Sequence, residues 1–375
     1  MKGRTLEMKK SIFAILGAGN GGQGLAAYFS IKGYEVRIFD FLEEPISLLK
    51  EKGEIILEGA ENGVGKIALA SNKIEEVISG ADVIMVVNPS IYHKKIAKEC
   101  APYIKSGQII FLHPASVFGA FAFKKALEDS GCHKNVTIAE SNTLLFACRA
   151  IETGRVHIGG KKDRLLVAAF PACDKDKVFD IISPVIEEIQ MGETVLETSM
   201  DSTNAMVHPL PTIMNASWSE SGKRFKYYHD GIGETVGHFI EGMDAERIAI
   251  GKKLGLTLSK DLFTLFMEYE AEYNTTGNTI SQIVKAVEAY HDIYASSSVK
   301  NRYIYEDVPM GLVPFIEIGE LLGLPVDKMK LTVKLCEEML GENLSAGGNC
   351  RNLENLGLKG MSAEQIIQYA KTGVK

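Results

Sequence analysis

The feature that most constrains this chain is an alternation of short apolar runs with amphipathic stretches, which begins at Ser11. Ile12–Leu16, Glu35–Phe39, Val83–Val87, Ile109–Leu112 and Val136–Ala139 have the length of strands and read as buried on both faces. Between them, Gly22–Lys32, Ile91–Ile104 and Ala120–Asp129 carry apolar residues at helical spacing. Strands that alternate with helices predict right-handed crossovers and a parallel sheet. RVHIGGKKDRLLVAAF is expected to extend that sheet, and DKVFDIISPVIEEI to add one more helix.

Past Ser199 the strand pattern stops. Helical spacing runs through Asn204–Ser219, Ala245–Leu254, Asp261–Met267, Thr279–Tyr290, Leu312–Leu321, Lys328–Leu340 and Ala363–Ala370. A chain of 375 residues exceeds one ordinary core, and two domains follow. The expected fold is an α/β Rossmann-type dinucleotide-binding domain over residues 1–198, with a loose tail at 1–10, followed by an all-α domain over 199–375. There is no internal repeat and no low-complexity linker.

A net charge of −7 argues against a nucleic-acid surface, which needs a basic stripe. Six scattered cysteines, none in a CxxC pair, suggest neither a metal site nor a disulfide framework; reduced thiols in a cytoplasmic enzyme fit best. MKGRTLEMKK followed by SIFAIL resembles the start of a signal peptide, but the apolar run is short and ends in glycines. No stretch reaches the roughly 18 uncharged apolar residues of a membrane span.

AILGAGNGGQG places Gly17, Gly19 and Gly22 in the pattern G-x-G-x-x-G, between an expected strand and an expected helix. Asn20 and Gly21 lie inside the same loop, whose amides would face a pyrophosphate at the helix N-terminus. Asp40 ends the second strand, 23 positions after Gly17, where a carboxylate accepts the ribose hydroxyls of NAD and repels the 2′-phosphate of NADP. Phe41 follows where an arginine could have offset that repulsion. NAD is the expected cofactor. The loops after two later strands, with Asn88, Pro89 and Ser90 and with His113 to Ser116, are either a nicotinamide-side edge or ordinary polar turns.

Reducing a carbonyl or imine needs a proton donor, a cation for the substrate carboxylate and a group to orient the donor. Histidine, arginine and a carboxylate suit these tasks. NAMVHPLPTIMNA carries His208 directly before Pro209, with Asn204 one turn earlier on the same face. NRYIYEDVPMGLVP carries Arg302 and Asp307. Those two are either an ordinary surface ion pair or groups that a folded-back segment brings to His208.

These segments, together with AESNTLLFACR, MDAERIAIGKKLGL and RNLENLGLKGMSAEQI, resemble the opine dehydrogenase family, which includes octopine dehydrogenase and N-(1-carboxyethyl)-norvaline dehydrogenase. The resemblance covers nearly the whole chain, and VHPLPT and the R-x4-D before GLVP are its most specific parts. It implies that an α-amino acid and an α-keto acid, usually pyruvate, condense to an imine that NADH reduces. It further implies that His208 is the acid/base, that Asp307 pairs with it, that Arg302 contacts substrate carboxylate, and that Asn204 faces the cleft. Glu140, in AESN, would contact the amino acid, and the stretch 259–299 would shape its pocket. A homodimer is a possible assembly.

Two other readings compete. Ketopantoate reductase and glycerol-3-phosphate dehydrogenase types place a lysine on the catalytic helix, and none occurs between Met200 and Ser221. A nucleotide sensor that has lost catalysis would have no need of His208, Arg302 and Asp307.

Overall fold

The computed structural model describes residues 10–256, 260–269 and 277–375. The expected loose tail therefore lies outside the described residues except for Lys10, as does part of the 259–299 stretch. Twelve strands occur among the described residues: β1 (Ile12–Leu16), β2 (Glu35–Phe39), β3 (Glu54–Gly59), β4 (Gly63–Lys66), β5 (Leu69–Ser71), β6 (Val83–Val86), β7 (Ile109–Leu112), β8 (Thr137–Ser141), β9 (Phe146–Glu152), β10 (Arg155–Lys161), β11 (Leu165–Phe170) and β12 (Ile189–Met191). The main sheet runs β12-β11-β8-β7-β6-β1-β2-β5 and is parallel except where β8 meets β11. Its β5-β2-β1-β6-β7-β8 portion has the doubly wound order of a dinucleotide-binding fold, with the strand order reversing between β1 and β6. The five expected strands all form, and β1, β6 and β7 are buried at every position.

The 155–170 segment corrects one expectation. Only its second half, β11, joins the main sheet; β10 belongs to a second sheet in the order β4-β3-β10-β9. In β10, Val156 and Ile158 are buried while Arg155 and His157 are exposed, the alternation of a strand covered on one face. That face packs on the helix Asn20–Ile31, whose residues from Gly22 to Phe29 are all buried. A helix sandwiched between two sheets needs no polar stripe, so its pattern did not reveal the second sheet.

The chain divides into two compact units: residues up to Ala115 with Ala126–Glu193, and Ser116–Lys125 with Thr194–Lys375. This differs from a single cut near residue 199 because the start of the helix Gly119–Asp129 packs among the later helices. Phe121 stacks on Tyr369 at 5.5 Å and Phe118 meets Phe315 edge-on at 6.5 Å. Ser116 and Phe118 hold positive φ of 60° and 52°, a strained choice for residues with a Cβ. Neighbouring groups pin them: Phe118 N–H donates to Ser199 Oγ at 2.8 Å, and Arg351 donates to the Val117 carbonyl at 2.7 Å.

The second unit is helical. The expected helix over 204–219 is three short ones, Asn204–Val207, Pro209–Met214 and Ala216–Glu220, because Pro209 starts a new helix directly after His208. The longest helix, Glu234–Lys253, carries a fully buried arginine. Arg247 donates from Nε to Asp244 at 2.7 Å, and also to the carbonyls of Met200 and Lys260. The other oxygen of Asp244 accepts the Leu262 N–H at 2.6 Å, so the pair ties three segments together. Arg247→Ala leaves Asp244 buried and unpaired, and urea unfolding should register a loss of about 3–5 kcal/mol. A loss below about 1 kcal/mol would deny the pair that role.

Candidate active site

One cluster of candidate residues lies at the strand-order reversal of the first unit. Gly17 leaves β1 with φ +112°, a conformation open to glycine, and donates its N–H to the Phe39 carbonyl at 2.8 Å. A Cβ on Gly22 would collide with the Gly17 carbonyl, so glycine is required for the helix to start this close to the strand. At Gly19 an added Cβ would meet nothing within 4 Å, which leaves open space beside the backbone. Asp40 accepts the Ala18 N–H at 2.7 Å on one oxygen and the Leu42 N–H at 3.0 Å on the other. The two amides fix the carboxylate's direction, and each oxygen keeps a lone pair for a hydroxyl.

Asn88, after β6, packs its amide against Gly17, and its Oδ1 is buried without a hydrogen-bond partner among the described residues. Pro89 opens the 3-10 turn Ser90–Tyr92. Open space at Gly19, an orphaned acceptor at Asn88 and a braced acid at Asp40 fit a dinucleotide. Within the loop, Asn20 Oδ1 accepts the Ala150 N–H at 2.9 Å, and Gly21 lies against Val87.

His113 is a structural residue. Its Nε2 accepts the Leu145 N–H at 3.0 Å, which leaves Nδ1 to donate to Ser141 Oγ at 2.7 Å. Burial lowers its pKa to about 3, so the ring stays neutral. Glu140 is fully buried in β8, between Leu112 of β7 and Ala168 of β11.

A second cluster forms within the helical unit, around His208. Its Nδ1 lies 2.7 Å from Asp307 Oδ2, and its Nε2 lies 2.9 Å from the hydroxyl of Tyr228. Tyr303 stacks on the imidazole at 4.0 Å with the planes 17° apart. Tyr227 donates to the His208 carbonyl at 2.6 Å, which fixes the backbone that carries the ring. Burial pushes the hydroxyls of Tyr227 and Tyr228 well above their ordinary pKa, and that of Tyr303 upward, so all three stay protonated.

Asp307 reaches His208 through an irregular turn. Residues Val308–Leu312 form a π-helix, closed by Leu312 N–H donating to the Asp307 carbonyl at 3.0 Å. Gly311 sits against Ala205, where an added Cβ would come within 2.5 Å of the alanine's own. The helix that ends at His208 and the turn that starts at Asp307 therefore touch through two of the smallest side chains.

Arg302 is not drawn to the ring. It is 62% exposed, and its Nε lies 3.4 Å from Glu306, an i,i+4 pair. Asn204 is exposed one turn before His208 and makes no side-chain hydrogen bond among the described residues. Tyr227, Tyr228 and Tyr303 escaped the sequence reading. Their only signals are the tyrosine pair in FKYYHDG and an aromatic beside Arg302, and neither has a spacing that links it to His208.

Residues 191–340 match the family model described as NAD/NADP octopine/nopaline dehydrogenase, alpha-helical domain. Residues 12–117 match that of the NAD-dependent glycerol-3-phosphate dehydrogenase N-terminus. An opine dehydrogenase of Arthrobacter sp. (strain 1C) is 36% identical over 96% of this chain and 98% of its own. The chain belongs to the opine dehydrogenase family. Octopine dehydrogenase of Pecten maximus is 26% identical over 89% of this chain and 91% of its own. A structure of octopine dehydrogenase with NADH and L-arginine superposes with a TM-score of 0.80 at 20% identity, covering 98% of this chain and 99% of that one. A ketopantoate reductase from Ralstonia eutropha superposes less well, with a TM-score of 0.60 at 15% identity over 88% and 99%. Among the described residues of this family member, no helix is long and apolar enough to cross a membrane.

The Gly311–Ala205 contact has a direct consequence for the pair. Gly311→Ala should push the π turn away from His208 and lower kcat at least about tenfold, as misplacement of a catalytic group does. NADH binding, followed by fluorescence titration, should be unchanged. Wild-type kcat in that variant would show that the close approach does not position Asp307.

Proposed function

We propose that this opine dehydrogenase condenses an α-amino acid with an α-keto acid, pyruvate foremost, and reduces the resulting imine to an N-(carboxyalkyl)amino acid, with His208 as general acid/base. As a member of its family the enzyme is an NAD-dependent oxidoreductase acting on CH–NH bonds. The observation that carries the reading is the buried 2.7 Å pair of His208 and Asp307. Structures of octopine dehydrogenase with L-arginine and with pyruvate support the choice of substrate classes.

The proton steps follow from the pair. Neutral His208 takes a proton from the substrate ammonium, which frees the amine to attack the keto carbon. The C–N bond forms, a second proton passes from the attacking nitrogen to the keto oxygen to give a hydroxyl, and the imidazolium returns its proton to that hydroxyl, which leaves as water. Asp307 stabilises the imidazolium between these steps and holds the ring's tautomer. Bound NADH supplies the hydride that reduces the carbon of the C=N bond. Gly17, Gly19, Asn20, Gly21, Gly22, Asp40, Asn88 and Pro89 would hold it.

Arg302 and Asn204 are assigned to substrate carboxylate and amine, because both side chains are exposed and neighbour the pair in sequence. Glu140 is assigned to the amino acid on the family resemblance alone, its side chain being buried in β8. The free thiols of all six cysteines suit a cytoplasmic enzyme. Exposed Met214 and Trp218 offer apolar surface to a second copy in a homodimer.

NADH oxidation is expected to require a keto acid and an amino acid together. Oxidation with a keto acid alone would favour the ketopantoate reductase type instead. His208→Gln should cost about 10²–10⁴-fold in kcat, the usual worth of a general acid/base, with NADH binding retained. Equal loss of turnover and binding would make His208 a folding residue.

A further inference from the structure

The hydroxyl of Tyr228 has little choice of partner. The side chain is buried, its ring is stacked on Tyr290 at 4.1 Å with the planes 15° apart, and its oxygen meets Nε2 of His208 at 2.9 Å. No other hydrogen bond of that oxygen occurs among the described residues. A buried hydroxyl with one partner satisfies its hydrogen only by donating it. Donation needs a lone pair on Nε2, so the ring's single proton must sit on Nδ1, facing the carboxylate of Asp307.

We propose that Tyr228 is a positioning residue that holds resting His208 neutral, with its lone pair on Nε2, and that the ammonium of the incoming amino acid takes the hydroxyl's place there. The second clause rests on the opine reading; the first does not. The exchange accounts for the order of proton movements. An imidazolium at rest could not accept the ammonium proton, and without that transfer the amine has no lone pair for the keto carbon. Of the two protons that pass from nitrogen to the departing water, one travels by way of His208, which ends as it began.

The groups around the ring set up a contest between two influences. Asp307 favours the charged ring, and the donated hydrogen bond from Tyr228 favours the neutral one. Tyr303 on the ring's face, Tyr227 at its backbone carbonyl and Tyr290 behind Tyr228 add no charge. Arg302 and Glu306, on the segment that carries Asp307, pair with each other. Tyr228 is thus the group whose removal tips the balance toward imidazolium.

Tyr228→Phe keeps the ring that stacks on Tyr290 and deletes only the hydroxyl. A melting curve and an NADH titration check that the fold is intact. The acid limb of kcat/KM for the amino acid should move up by about half to one pH unit, the worth of one hydrogen bond. Below the limb the variant should lose about 3- to 10-fold, and above it the loss should vanish. A limb that stays put with an equal loss at every pH, or one that moves down, would overturn the proposal.

A second measurement uses no substrate. The ¹⁵N spectrum of ligand-free wild-type protein, with the His208 signals identified by their loss in His208→Gln, should show the Nδ1–H tautomer. The Nε2–H tautomer or an imidazolium at neutral pH would overturn the assignment, whatever the fate of the opine reaction. Failure of that reaction would appear separately, as NADH oxidation that needs no amino acid.

Discussion

The π turn at Val308–Leu312 is the constraint on which the His208–Asp307 pair depends. An i→i+5 closure inserts one extra residue into the helical path, and an ordinary α-turn would aim Asp307 differently. The insertion disturbs the usual carbonyl pairing, and distant groups make up for it. Ser116 Oγ donates to the Met310 carbonyl at 3.1 Å, and the Arg351 N–H donates to that of Pro309 at 3.0 Å. Arg351 also holds Val117, so the strained 116–118 segment and the π turn brace one another. Gly311 then lets the braced turn lie against Ala205.

Two histidines that precede prolines show how partners decide function. His113 bonds only neutral groups, and burial keeps it uncharged well below physiological pH. His208 is nearly as buried but faces a carboxylate, Asp307, at 2.7 Å. The dipeptide and the burial are alike; the charge opposite Nδ1 differs. Three neutral tyrosines around His208 keep water away without adding a second charge.

Much of this was legible in the sequence. Strands buried on both faces announce themselves as unbroken apolar runs, so the parallel sheet and the glycine loop could be read directly. The pairing of Asp307 with His208 came from family resemblance, since no local spacing links residues 99 apart in the chain. The second sheet stayed hidden because the helix it covers carries no charged residue and is buried from Gly22 to Phe29. The tyrosine cage stayed hidden because stacking and a single hydrogen bond leave no periodic trace. The local partner of Arg302 was hidden for a related reason: both the surface pairing and the substrate contact put an arginine at this position, and only the fold shows Glu306 at i,i+4 beside it.

The central claim is that His208 and Asp307 act as one proton-handling unit. A double-mutant cycle in kcat/KM for the condensation tests it most directly, using His208→Asn, Asp307→Asn and the double variant. If the carboxylate works only through the ring, the double variant should be no slower than His208→Asn alone. Losses that multiply would mean that Asp307 acts on the reaction independently of His208, and would contradict the account.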